Sequence, residues 1–220
     1  MDSVRRAGRT IGVLILIQLI AAVVLKVLQA PFFEAGGFLV NAAPHSTQIA
    51  FSALLTLVIE ALWLGVAVTA FPALYVSVPR MALVLAALAT VILAAAAAEV
   101  ASVMSIISVS EAYVKAGPAA QEELQTMRIL VSSTRNGVYN VARLLDGAAA
   151  LVLYAALSRV ALVPRWLALF GVVAAAMWVV SVLVTLFGYH VLALLLAPLF
   201  LCQLILALWL VTKGFVAPSR

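Results

Sequence analysis

An all-α integral membrane protein, a bundle of about six transmembrane helices with both termini cytoplasmic, is the fold class that three features of the sequence predict. Hydrophobic residues make up 67% of the 220, charged residues only 10%, and the mean hydropathy is +1.25. A soluble domain is near half apolar and a quarter charged, so this much apolar surface could not be hidden from water. The apolar residues fall into six long runs, and the basic residues gather at the run ends. Together these observations leave a single transmembrane domain, residues 1–220, and no room for a soluble one.

The spans follow from length. A hydrocarbon core about 30 Å thick takes roughly 20 residues of helix at about 1.5 Å each. Runs near 11–30, 49–71, 82–107, 138–158, 166–187 and 191–212 meet that requirement. Helix is the secondary structure that lipid allows them, because it satisfies every backbone group internally. The first run follows Arg5, Arg6 and Arg9 as a signal peptide would. It is long for a signal's apolar core, however, and Gln18 and Lys26 suit a retained helix.

Orientation follows from Lys and Arg, which cytoplasmic loops accumulate. With both ends inside, Arg5, Arg6, Arg9, Arg80, Arg159, Arg165, Lys213 and Arg220 lie on the cytoplasmic side, against Lys115, Arg128 and Arg135 outside, eight to three. The outer connection 31–48 holds Phe32, Phe33, Glu34, Gly36, Gly37 and His45 and no Lys or Arg, which fits the outer interface. In the other outer connection, 108–137, Gly117 and Pro118 break the chain. Gln121, Glu122 and Glu123 then open a helix whose acidic start suits the dipole. Leu124, Met127, Leu130 and Val131 continue it at helical spacing. This helix either runs on into the fourth span or lies on the membrane surface, and Gly137 is the natural place for a break.

The charges inside the runs carry the functional information. Lys26, Glu60, Glu99, Arg143 and Asp146 each sit where an isolated charge costs at least about 2.5–3.5 kcal/mol, so they should converge on the bundle interior. Counted along the helices, Lys26 lies near the outer end of span one, Glu99, Arg143 and Asp146 in the outer halves of spans three and four, and Glu60 near the midplane. Gln203 is at mid-depth in the last span, and Tyr189 and His190 mark the last outer turn. Arg143 and Asp146 share a face that Tyr139 and Asn140 extend outward, and Glu99 and Ser102 share another. The two faces are expected to meet, with Arg143 bridging Glu99 and Asp146. Such a set supports either an outward-opening cavity for a small ligand, ion or proton, or a buried network that only fixes helix order.

Other chemistries find no support. Basic residues form no stripe with interleaved aromatics, which argues against nucleic acid. Cys202 is the only cysteine, and the two histidines have no metal-ligand spacing. No G-x-S-x-G, phosphate-cradling loop or dinucleotide fingerprint occurs, and no motif specifies a cofactor. Ser102, Ser105 and Ser108 are read as bonding along their helix. An intramembrane enzyme using a carboxylate such as Glu60 therefore ranks below binding or translocation. A non-catalytic assembly subunit or a homo-oligomer stays open, with the small residues Ala94 to Ala98 as a stripe for close helix approach.

Three short stretches, taken in order, resemble a known family: Arg6, Ala7, Gly8, Arg9 leading to Gly12; Pro164, Arg165, Trp166, Leu167 with Gly171; and Ala207, Leu208, Trp209, Leu210 with Lys213 and Gly214. The sequence resembles the bacterial membrane family catalogued as domain of unknown function 4386 over nearly its whole length. The resemblance implies a multi-pass protein of the bacterial inner (cytoplasmic) membrane and no particular activity. It also implies a carboxylate in the last span, where this chain carries Gln203.

Overall fold

The computed structural model describes residues 2–33, 37–189 and 193–216, and among these there are helices and turns but no strand. Glu34, Gly36, His190, Arg220 and the expected start of the last span at 191–192 lie outside the described residues. Seven α-helices follow one another: α1 (Asp2–Leu28), the short α2 (Phe38–Asn41), α3 (Ser46–Tyr75), α4 (Pro79–Lys115), α5 (Pro118–Val160), α6 (Arg165–Leu186) and α7 (Ala197–Lys213). Five of them, α1, α3, α4, α5 and α6, are long and apolar enough to cross a membrane, and α7 is a shorter apolar helix. Its 17 residues reach about 26 Å, and the 3₁₀ turn Ala193–Leu196 before it adds about 8 Å. The molecule is an all-α membrane bundle.

Side-chain size sorts in the manner of lipid-bathed helices. In α6 the buried positions include Ala168, Gly171, Ala174, Ala175 and Ser181, while Leu169, Val173 and Val180 are exposed. With hydrocarbon outside there is no gain in turning large apolar groups inward, and small residues let the helices approach. On α4, Ala82, Leu85, Ala89, Ile92 and Ala96 are buried at alternating spacings of three and four, the inner stripe of one helix.

The chain forms two compact units, and α1, α3, α4 and α5 each contribute to both. The first comprises residues 1–20, 60–93 and 142–220. Its core gathers Ile11, Trp63, Leu74, Leu85, Tyr154, Leu167 and Leu210 from the five long helices and α7. Gly8 and Gly12, one turn apart on α1, let α7 and the segment after it come very close: a Cβ on Gly12 would lie 2.8 Å from the Ala207 carbonyl oxygen and the Val211 nitrogen, and one on Gly8 would meet the Phe215 nitrogen. Gly214 turns the chain out of α7 with φ +72°, a conformation that favours glycine. Two further bonds fasten this end, Arg5 Nε donating to the Lys213 carbonyl at 3.0 Å and Val216 N to the Leu162 carbonyl at 2.9 Å.

The second unit comprises residues 21–59 and 94–141, around Ala42, Ile49, Ala53, Val103 and Ile106. Ser110 on α4 ties the α2 turn down: its hydroxyl donates to the Leu39 carbonyl at 2.9 Å and accepts from Ala43 N at 2.8 Å.

The helix of the 108–137 connection runs on into the fourth span. The α4 and α5 helices have 37 and 43 residues, about 56 and 65 Å, well over the hydrocarbon thickness. Most of the 108–137 connection is therefore helix, and α5 passes through Gly137 without a break. One glycine costs a helix only about 1 kcal/mol, too little to stop one flanked by good helix formers. The turn at Gly117 is capped by Gln121, whose Nε2 donates to the Ala116 carbonyl at 3.3 Å and the Tyr113 carbonyl at 3.4 Å. Likewise α3 continues past Pro72 to Tyr75, and the rings of Phe71 and Tyr75 stack at 5.1 Å across the proline.

Candidate functional site: an intramembrane ion pair beside two aromatic rings

Polar burial concentrates in the second unit. Ser52, Thr56, Glu99 and Ser110 are buried there, against Ser181 in the first. Ser52 and Thr56 lie one turn apart on α3, and their hydroxyls donate to the Ile49 and Ser52 carbonyls at 2.7 and 3.1 Å. Hydroxyls satisfied within their own helix line this interior at little cost. Glu99 is different, since a carboxylate has no donor of its own and must find a cation or a proton.

The cation is Arg135. Its Nη2 stands 3.7 Å from Glu99 Oε1, and both side chains are largely buried. Charge-assisted hydrogen bonds are typically about 2.7–2.9 Å. At 3.7 Å the two charges attract without closing a tight hydrogen bond. The guanidinium lies 5.2 Å from the centre of the Tyr139 ring and 5.7 Å from that of Phe32. Within about 6 Å an aromatic face attracts a cation, and a desolvated pair of this kind contributes up to about 2 kcal/mol. Arg135 and Tyr139 are four apart on α5, so one helix face delivers both. Arg135 Nε is buried with no hydrogen-bond partner among the described residues. A small group carrying an oxygen acceptor would satisfy it, and a proton or cation would be held by the carboxylate.

Glu99 and Ser102 share a face as expected, and the hydroxyls of Ser102, Ser105 and Ser108 each donate to the carbonyl four residues before, at 3.0–3.1 Å. Lys26 also belongs to this unit, exposed in the last turn of α1. No described carboxylate lies within ion-pair distance of its ammonium.

Glu60, Arg143, Asp146 and Gln203 belong to the first unit and are half-buried. Glu60, Arg143 and Asp146 all have interaction partners. The Arg143 guanidinium lies 4.7 Å from the Trp178 ring centre, and Trp178 Nε1 donates to the Arg143 carbonyl at 2.9 Å. Gly147 makes the space, because a Cβ there would lie 2.6 Å from Trp178 Cδ1. The sequence marks Arg143 and Asp146 as intramembrane charges but not the indole that stacks on Arg143. In the sequence Arg135 counts only as a charge of an outer connection.

Among the described residues no three His, Cys, Asp or Glu side chains are grouped to hold a metal ion. His45 Nδ1 is 3.0 Å from the Asn41 carbonyl one turn before it, and Cys202 is buried as a free thiol. Ala96 is buried in the alanine run, while Ala94, Ala97 and Ala98 are exposed.

No curated protein and no solved structure matches the chain. A family model does, over residues 10–214, and the chain belongs to that family, described as Domain of unknown function (DUF4386).

Proposed function

We propose that the protein binds or translocates a small ligand, ion or proton within the bacterial cytoplasmic membrane, with both termini in the cytoplasm. The reading rests on one observation: a buried Glu99–Arg135 pair held at 3.7 Å, with the guanidinium's Nε lacking a described partner. A pair kept only to hold helices together would close to hydrogen-bonding distance, since burial makes every unmade bond costly. An open pair leaves the carboxylate for a proton or cation and the guanidinium edge for an oxygen acceptor. Lys26 at the outer end of α1 adds positive potential for an anionic group, and Glu60, Arg143, Asp146 and Gln203 form the polar set of the other unit. In this reading a cavity opens outward to Glu99. An intramembrane enzyme with a carboxylate such as Glu60 as general base is the lower-ranked alternative.

The test is water access. In a Cys202→Ala background, Ser102→Cys shares the face of Glu99, and Val91→Cys, exposed on the lipid side of α4, serves as control. A membrane-impermeant methanethiosulfonate added outside intact spheroplasts should modify position 102 and spare position 91. Protection of position 102 equal to that of position 91 would refute an outward-opening cavity and favour a structural pair. The exposed Ala94, Ala97 and Ala98 would then direct attention to an assembly partner.

A further inference from the structure

One end of the first unit is ringed with cations. Arg5, Arg6 and Arg9 on α1, Arg80 on α4, Arg159 and Arg165 flanking the α5–α6 turn, and Lys213 on α7 are all exposed. Contacts bring these helix ends together: Arg5 bonds the Lys213 carbonyl, Val216 bonds Leu162, and Val4, Val78 and Met81 pack on the core that includes Leu74, Leu162 and Phe215. Besides Asp2, the carboxylates of this unit are Glu60 and Asp146. Each is separated along its helix from the ring by about 20 Å, beyond the screening length of physiological salt, about 8 Å.

Two of these cations also oppose their own helices. Arg80 stands at the start of α4 and Arg165 at the start of α6, and the first turns of both helices hold no acidic residue. A helix N-terminus already presents positive partial charge, so each placement is locally unfavourable. An anion from outside the chain would reverse the sign of all these terms.

The surface below the ring defines the rest of that anion. On α1, Arg6 and Arg9 are followed at spacings of four, four and three by Val13, Ile17 and Ile20, exposed at 46%, 46% and 65%. On α6, Arg165 and the exposed Trp166 are followed by Leu169 and Val173, also exposed. A cationic head above an apolar strip, with an indole at the boundary, matches a phosphodiester headgroup on acyl chains. We infer that this ring binds anionic phospholipid, with Arg6 and Arg9 holding a headgroup phosphate and Val13, Ile17 and Ile20 lining the acyl chains.

The experiment is native mass spectrometry of the full chain, delipidated in detergent and titrated with dioleoyl phosphatidylglycerol or dioleoyl phosphatidylcholine. The wild type should retain phosphatidylglycerol preferentially. Arg6→Gln/Arg9→Gln should weaken that retention roughly tenfold or more while leaving phosphatidylcholine unchanged. Arg6→Lys/Arg9→Lys should retain most of it, and Lys115→Gln should match wild type. Arg5 is left alone because it also holds Lys213. Raising salt from 20 to 500 mM in a parallel bead-capture assay of the wild type should abolish the preference, a readout that needs no variant to fold. Equal retention of the two lipids by wild type, or unchanged retention by the glutamine variant, would overturn the inference. Displacement of the lipid by millimolar inorganic phosphate would also overturn it, marking a site for the free anion.

Discussion

Gly12→Ala should destabilise the bundle even though alanine is the better helix former. The added Cβ would sit 2.8 Å from the Ala207 carbonyl oxygen and Val211 nitrogen and 2.9 Å from Leu210 Cβ. Two of those atoms are backbone and cannot rotate aside, so α1 and α7 must separate. Overpacking of this kind costs about 1–3 kcal/mol. In water the Gly→Ala propensity gain, about 1 kcal/mol, would offset part of that. In a micelle the unfolded state keeps its helices, so most of the gain cancels and the packing loss remains. Gly137→Ala is the matched control, since nothing lies within 4 Å of its Cβ position and α5 is helical on both sides. Reversible unfolding in mixed dodecyl maltoside and SDS micelles should place Gly12→Ala about 1–3 kcal/mol below wild type and Gly137→Ala at or slightly above it. A Gly12→Ala protein as stable as wild type would refute the close α1–α7 contact.

Further outcomes follow from other contacts. Ser110→Ala removes the acceptor for Ala43 N and a donor to the Leu39 carbonyl and should cost about 2–3 kcal/mol, with hydrogen exchange of the Ala43 amide rising at least tenfold. Arg135→Gln strands Glu99 and should cost about 3–5 kcal/mol; Glu99→Gln/Arg135→Gln should recover much of it, and additive losses in that cycle would deny the pair. Gly214→Ala puts a Cβ 2.5 Å from the Arg5 carbonyl oxygen at φ +72° and should lower the melting temperature more than Gly137→Ala changes it. Trp178→Phe loses the bond to the Arg143 carbonyl, with an expected cost of about 1 kcal/mol in the same micelle assay.

The helices were legible in the sequence because lipid leaves apolar runs no alternative, and Glu99 was legible because a carboxylate there is expensive. The end of α4 was not, since Glu111 and Lys115 read as a solvated connection by hydropathy while being sound helix formers, and Gly137 leaves open whether the helix that begins at Gln121 runs on into the fourth span. Arg135, in that stretch, reads only as a charge of the outer connection. The signal was nonetheless present: Arg135, Tyr139 and Arg143 recur every four residues, and following that stripe one turn outward from Tyr139 reaches the guanidinium beside Glu99. The pairing of Trp178 with Arg143 depends on which helices become neighbours, which hydropathy does not encode. The close approach at Gly8 and Gly12 could have been suspected from their four-residue spacing, but nothing in that spacing names α7 as the partner.

The bond from Arg5 to Lys213 spans 208 positions of the chain. A ribosome adding about 5–20 residues per second takes roughly 10–40 s to cover that distance. For most of that interval α1 has been made while the helix that fills its glycine face has not. Assembly of the first unit thus has an order imposed by synthesis, in which the earliest helix waits for the latest. A nascent chain stalled before α7 would leave Gly8 and Gly12 without the helix that packs on them.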